Sequence, residues 1–180
     1  MWREKRVTVV RTDRRGQIDP RPEGRLGRRA RVRTQRPRRR ATTILAAIFL
    51  VLLLPAIGDA VNGYTTQSSG CRVIGVIDGD TVRLDCPKSG FIRGRVLAYD
   101  APEFFSPQCV SEFAKAIQAT FYLRYLLWSS GKISATIDGT DRYGRALIVL
   151  IADEKGIAGE MVEAGLGRWY DGGSRDGWCA

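Results

Sequence analysis

Arg72-Val73-Ile74-Gly75-Val76-Ile77-Asp78-Gly79-Asp80-Thr81-Val82-Arg83-Leu84 is the stretch on which the fold turns. Two runs of β-branched and apolar residues, Arg72 to Ile77 and Thr81 to Leu84, stand on either side of Asp-Gly-Asp. An Asp-Gly pair between such runs predicts a β-hairpin. Downstream, Phe91 to Tyr99 reads as a third strand, and Lys132 to Ile137 and Ala146 to Ile151 as a fourth and fifth joined by the polar loop Asp138 to Arg145.

Between the third and fourth strands the period changes. Phe113, Ile117 and Phe121 recur every four residues, with Leu126 near the same stripe, so Val110 to Ser129 is predicted helical, with Ser111 as its cap and Gly131 just past its end. A second helix, Ile157 to Ala164, stops at Gly165 as a C-terminal glycine cap requires. Five short strands with one helix after the third and another after the fifth predict an α+β, mainly β fold: a small closed barrel of oligonucleotide-binding type with inserted helices.

Upstream of the hairpin lie two different regions. Residues 1–40 carry 16 Lys/Arg against four Asp/Glu, a net +12, and are rich in Arg, Pro and Gly, which predicts a disordered basic tail. Residues 41–180 carry −2 of the chain's net +10, so the basicity is no sign that the folding part binds nucleic acid. The tail itself reads as a solvated charge run beside a membrane segment.

That segment is residues 41–58, eighteen residues without a charge, centred on the apolar run Ile44 to Leu54. Eighteen helical residues reach roughly 27 Å, enough to cross a bilayer's hydrocarbon core. It fits a retained anchor with its Arg-rich end in the cytoplasm, and equally a secretory signal cleaved at the small-residue site Gly58-Asp59-Ala60. Both readings put residues 61–180 outside the cytoplasm, periplasmic or secreted in a bacterium, and nothing demands an oligomer.

Those 120 residues suffice for one domain with a single core. All four cysteines lie in it, and an even number on the exported side suggests two disulfides. Of the three pairings, Cys71 with Cys86 and Cys109 with Cys179 is favoured, because the first two would flank the hairpin.

The chain has no His. His-ligated zinc sites, Ser-His-Asp triads and Cys-His pairs are therefore excluded, leaving carboxylates, guanidinium groups or a metal to do any chemistry. Asp80 ends the hairpin turn and Asp100 follows the third strand in Asp100-Ala101-Pro102-Glu103. Each alone reads as a local hydrogen-bonder. Were the strands neighbours, the two carboxylates and a backbone carbonyl would make a hard oxygen site for Ca²⁺ or a similar divalent ion. Glu103 is the candidate to act on a water molecule. Arg95 and Arg145 are the candidate phosphate forks, with Arg93 a rival for the first.

Val76-Ile77-Asp78-Gly79-Asp80-Thr81-Val82, Arg95 with Asp100-Ala101-Pro102-Glu103, and Asp141-Arg142-Tyr143-Gly144-Arg145 resemble, in order and spacing, the staphylococcal nuclease (thermonuclease) family over about residues 70–170. The resemblance implies Ca²⁺-dependent hydrolysis of DNA and RNA with low sequence specificity. It implies metal ligation by Asp80, Asp100 and the Ala101 carbonyl, catalysis by Arg95, Glu103 and Arg145, and substrate contacts from Arg142 and Tyr143. Position 101 is Ala where the family commonly has Thr. The chain also ends fifteen residues after Gly165, so the family's last helix is expected to be short or missing, with Trp169, Tyr170 and a bridge through Cys179 sealing that side. The competing reading is a catalytically inactive module on the same barrel that holds nucleic acid or protein without cutting it.

Overall fold

A computed structural model describes residues 15–16 and 36–179, so nearly all of the expected basic tail lies outside the described residues. Among these the chain forms α1 (Arg36–Thr65), β1 (Gln67–Gly70), β2 (Arg72–Val76), β3 (Thr81–Cys86), β4 (Gly90–Val96), β5 (Tyr99–Asp100), α2 (Val110–Trp128), β6 (Lys132–Thr140), β7 (Ala146–Ala152), β8 (Lys155–Gly156), α3 (Ile157–Glu163) and β9 (Arg168–Trp169). The unit Ala41–Ala180 holds everything that follows.

The hairpin forms where expected, with Val76 opposite Val82 and a register shift between Val73 and Gly75. β3 pairs with β4, and β4 runs parallel to β7. The seven-stranded sheet is ordered β1-β6-β7-β4-β3-β2, with β8 on β7. Its two outermost strands in this order, β1 and β2, are joined through Cys71, whose N–H bonds the Ala135 carbonyl of β6 at 3.0 Å. A sheet whose edges are consecutive in the chain has to curl back on itself. The fold is therefore a mixed α+β one around a curled sheet, and the expected five strands, β6, β7, β4, β3 and β2, are part of a larger set, their closure into a barrel of oligonucleotide-binding type remaining an expectation.

The extra strands are short or polar, which is why periodicity does not announce them. β1 is Gln-Ser-Ser-Gly and pairs parallel to β6 through backbone alone. The expected third strand breaks in two: Ala98 takes φ +74°, a left-handed conformation that costs an alanine, and the chain turns to form β5 against β9.

Val82, Leu84, Val96, Leu123, Ile148, Ile157 and Met161 are fully buried between the sheet, α2 and α3. On α2 the expected stripe is half right: Leu126 packs partly buried against the core and Ile117 is half-buried, but its two phenylalanines are not. Ala116, Ala119, Leu123 and Leu127 face the core, while Phe113 and Phe121 are exposed, because small residues let the helix approach the sheet closely. Ser111 does not cap this helix. Cys109 precedes it without a side-chain cap bond, and the Glu112 carboxylate accepts the N–H groups of Gln108 (2.6 Å) and Glu103 (3.3 Å) instead. The α3 terminus is as expected, Gly165 taking φ +69° after Ala164.

Both favoured disulfides are present, Cys71–Cys86 and Cys109–Cys179. Among the described residues no helix follows α3. Trp178, not Trp169, buries against that side, and Trp169 is exposed. The apolar helix overruns its expected end at residue 58 by seven residues, so the boundary at residue 61 falls inside α1.

Candidate functional site

The turn at Asp78-Gly79-Asp80 is built by its own side chains. The Asp80 N–H donates to Asp78 Oδ1 (3.1 Å), and the Tyr99 hydroxyl donates to the Gly79 carbonyl (2.6 Å). Burial, helped by nearby Asp80, pushes the Tyr99 phenol well above its usual pKa, so it remains a donor. A Cβ at Gly79 would meet the Cβ atoms of Ala119 and Ala101 inside 3 Å, so only glycine lets the turn nest between α2 and the segment after β5.

That packing brings Asp80 and Asp100 together. One nitrogen of Arg95, Nη2, reaches Asp80 Oδ2 at 2.8 Å and Asp100 Oδ1 at 3.1 Å, with all three side chains buried. The Thr81 hydroxyl donates to the other Asp80 oxygen at 2.7 Å. Burial pushes the Asp80 carboxyl up to about 6, against the opposing pull of Arg95. Asp80 is thus a buried carboxylate whose desolvation Arg95 only partly offsets. Arg93 stands exposed on the same strand, because Asp80 and the segment around Asp100 cover Arg95 and do not reach it.

Arg175 extends the cluster. Its Nε reaches Asp100 Oδ1 (3.1 Å) and its Nη1 reaches Glu103 Oε1 (3.4 Å), so acid and guanidinium alternate from Asp80 through Arg95, Asp100 and Arg175 to Glu103. Glu103 is half exposed, open to water. Ala101 is buried, next to Asp100 in sequence and packed at Gly79, the residue before Asp80.

Arg145 joins from the β6–β7 turn. Asp141 Oδ1 accepts the N–H groups of Tyr143 and Arg145, both at 2.9 Å, and its Oδ2 accepts Arg145 Nε at 2.7 Å. Burial raises the Asp141 carboxyl, but these bonds outweigh it and the net pKa is lowered. Gly144, at φ +77°, closes the turn. Arg142 and Arg145 both lie over the exposed Tyr143 ring, 4.9 and 5.7 Å from its centre. Arg95, Arg142, Tyr143, Arg145, Tyr170 and Arg175 line a single cleft of about 710 Å³.

All eight candidate residues therefore fall in one neighbourhood: an acidic cluster at Asp80, Asp100, Ala101 and Glu103, and an arginine-lined cleft beside it. Arg175 carries no motif and escapes a reading of the sequence, and Tyr170, expected to seal the core, lines the cleft instead. Their signal is indirect, since a Cys109–Cys179 bridge brings the segment before Cys179 back toward residues 100–109. The other cluster of metal-ligand types, Cys109, Glu112 and Cys179, is spent: both sulfurs are in the disulfide, and the carboxylate holds two backbone N–H groups. No known family model matches the chain.

Proposed function

We propose that this protein is a membrane-anchored, metal-dependent nuclease that hydrolyses phosphodiester bonds of DNA and RNA with low sequence specificity, on an oligonucleotide-binding type barrel of the staphylococcal nuclease kind. The observation that carries this reading is the junction of two environments. A pair of buried aspartates sharing one arginine nitrogen adjoins a cleft lined by four arginines.

The donors fit a hard cation. Asp80 and Asp100 supply anionic oxygens and the Ala101 carbonyl a neutral one, and a divalent ion there would favour the charged form of Asp80, which burial disfavours. When bound, Ca²⁺ would add positive charge against the phosphate oxygens. Arg95 and Arg145 would grip those oxygens through planar forks, tightest as charge accumulates at phosphorus. Glu103, the exposed carboxylate of the series, would order a water and accept its proton. Arg142 and Tyr143 would contact the nucleotide at the cleft rim, where an exposed ring stacks on any base. The uncharged run of α1, mostly exposed and apolar, supports retention in a bilayer, and with the two disulfides an extracytoplasmic domain.

The test is to incubate the full chain in detergent micelles with single-stranded DNA and with RNA, with and without Ca²⁺, beside Glu103→Ala. Cutting should require the divalent ion and fall by about 10²–10⁴-fold in the variant. Undiminished cutting by the variant would remove the mechanism. Binding without cutting under any divalent ion would favour the inactive module.

A further inference from the structure

The last turns of α1 are built into the domain. Asp59, flanked by apolar turns, is buried. Its Oδ1 accepts Arg124 Nε (2.8 Å) and Trp128 Nε1 (3.0 Å), and its Oδ2 accepts the Val76 N–H (3.0 Å). Arg124 Nη2 continues to the Val76 carbonyl at 3.1 Å, and Asn62 Nδ2 donates to the Leu127 carbonyl at 3.2 Å. A Cβ on Gly58 would sit 2.7 Å from the Trp128 ring, so glycine allows the two helices to meet. Hydrogen bonds to two segments, α2 and Val76 of β2, fix the direction in which α1 leaves the domain.

Beside this junction α2 shows its aromatic face. Phe121, Tyr125 and Trp128, spaced i, i+4 and i+7, are 56%, 62% and 45% exposed. With Leu54, Pro55 and Gly58 they line a cleft of about 820 Å³. Arg124, the charge in that cleft, is already committed to Asp59 and Val76.

We infer that this α1–α2 cleft and aromatic face form a seat for the phospholipid surface, holding the domain against the bilayer rather than letting it swing on a tether. The inference rests on the anchor reading above and extends it. Three observations choose the bilayer as occupant. The cleft is continuous with the exposed apolar surface of α1, sharing Leu54 and Pro55 with it. Eighteen uncharged residues ending at Gly58 span roughly 27 Å, so the hydrocarbon boundary falls at the junction itself. Tyr and Trp rings are the side chains that settle at that depth. A seat of this kind also gives the Asp59 bonds a purpose, since a chain cleaved at Gly58-Asp59-Ala60 would lose the partner of buried Arg124.

The test uses the full chain in vesicles of dioleoylphosphatidylcholine, with and without acyl chains brominated near the headgroup end. Tyr125→Trp and Phe121→Trp each place a new fluorophore on an exposed position and leave the Asp59 partners intact. Subtracting wild-type emission isolates the added signal. If the seat exists, the variants float with the vesicles, and roughly half or more of the added emission is lost to bromine and little to aqueous iodide. Added emission quenched by iodide and untouched by bromine overturns the seat while leaving the anchor standing. Added emission shielded from both means that protein, such as a second copy, covers the face, and overturns it too. A chain that does not float sinks the anchor and the seat together.

Discussion

Among the described residues lie two buried aspartate–arginine clusters, and they differ in how well each carboxylate is served. At the α1–α2 junction Asp59 takes hydrogen bonds from Arg124, Trp128 and the Val76 N–H, each donor at or inside 3.0 Å. In the candidate site Asp80 and Asp100 divide one nitrogen of Arg95, and burial drives the Asp80 carboxyl up to about 6. A carboxylate with its lone pairs filled holds structure; one whose desolvation is only partly offset is suited to a cation or substrate. The same residue types thus serve different ends, and the count of donors separates them.

The largest effects test that division directly. Arg95→Ala should reduce DNA cutting about 10²–10³-fold, as loss of a group acting on transition-state charge does. Asp59→Ala should instead destabilise the fold by about 3–5 kcal/mol, because it strands Arg124 in a buried position, while activity per folded molecule stays within twofold of about wild type. Denaturant midpoints and turnover measured on both variants decide the matter. A large activity loss with an unchanged midpoint in Asp59→Ala would erase the contrast.

Asp80 gives the next effect, and its sign is set by the direction of the shift. Its pKa is raised from an ordinary 3.8 to about 6, so the folded protein binds that proton more tightly than the unfolded chain does. Without the ion, this group therefore lowers stability fully above pH about 6, and the penalty fades as pH falls through that value toward 3.8. Asp80→Asn should melt higher than wild type at neutral pH without Ca²⁺, with the gap closing toward pH 5, about a unit above the unfolded carboxyl's value. The same variant should lose the rise in melting temperature that Ca²⁺ gives the parent. A gap that ignores pH would assign the change to packing.

Arg175 sharpens the comparison further. Its guanidinium lies against oxygens of Asp100, a proposed ligand, and of Glu103, so Arg175→Ala should tighten Ca²⁺ binding by about two- to fivefold, a modest factor because the side chain is partly exposed. Exposed Arg93→Ala serves as the control in calorimetry, and equal tightening in both would reduce the effect to net charge. The smallest change is Ala98→Gly, which relieves a left-handed alanine and should add about 1 kcal/mol of stability. That strain sits on the site's side of the molecule, in the bend that aims Asp100.

Much of this was legible in the residues themselves. The Asp-Gly turn between β-branched runs predicts β2 and β3, Gly165 predicts the end of α3, and the cysteines around the hairpin predict Cys71–Cys86. Local chemistry decides such features, and local chemistry is written in neighbouring letters. The α2 stripe reads only partly right, because period identifies a helix but not which residues of it win the core. Ala116, Ala119, Leu123 and Leu127 took the core, and Phe113 and Phe121 were left outside. The strands β1, β5, β8 and β9 pair by backbone with too few apolar side chains to mark them.

The sequence by itself determined which groups could do chemistry here: with no His, the work falls to carboxylates and arginines, and the motifs name eight of the residues. Tertiary structure alone decided which of these share a donor. Arg95 became the bridge and Arg93 did not, Arg175 arrived from 72 residues beyond Glu103, and Asp59 was claimed by a helix 65 residues away. The reason is physical. Charge pairing acts through space over a few ångströms, and that proximity exists only once the sheet has curled and the disulfides have drawn distant segments together.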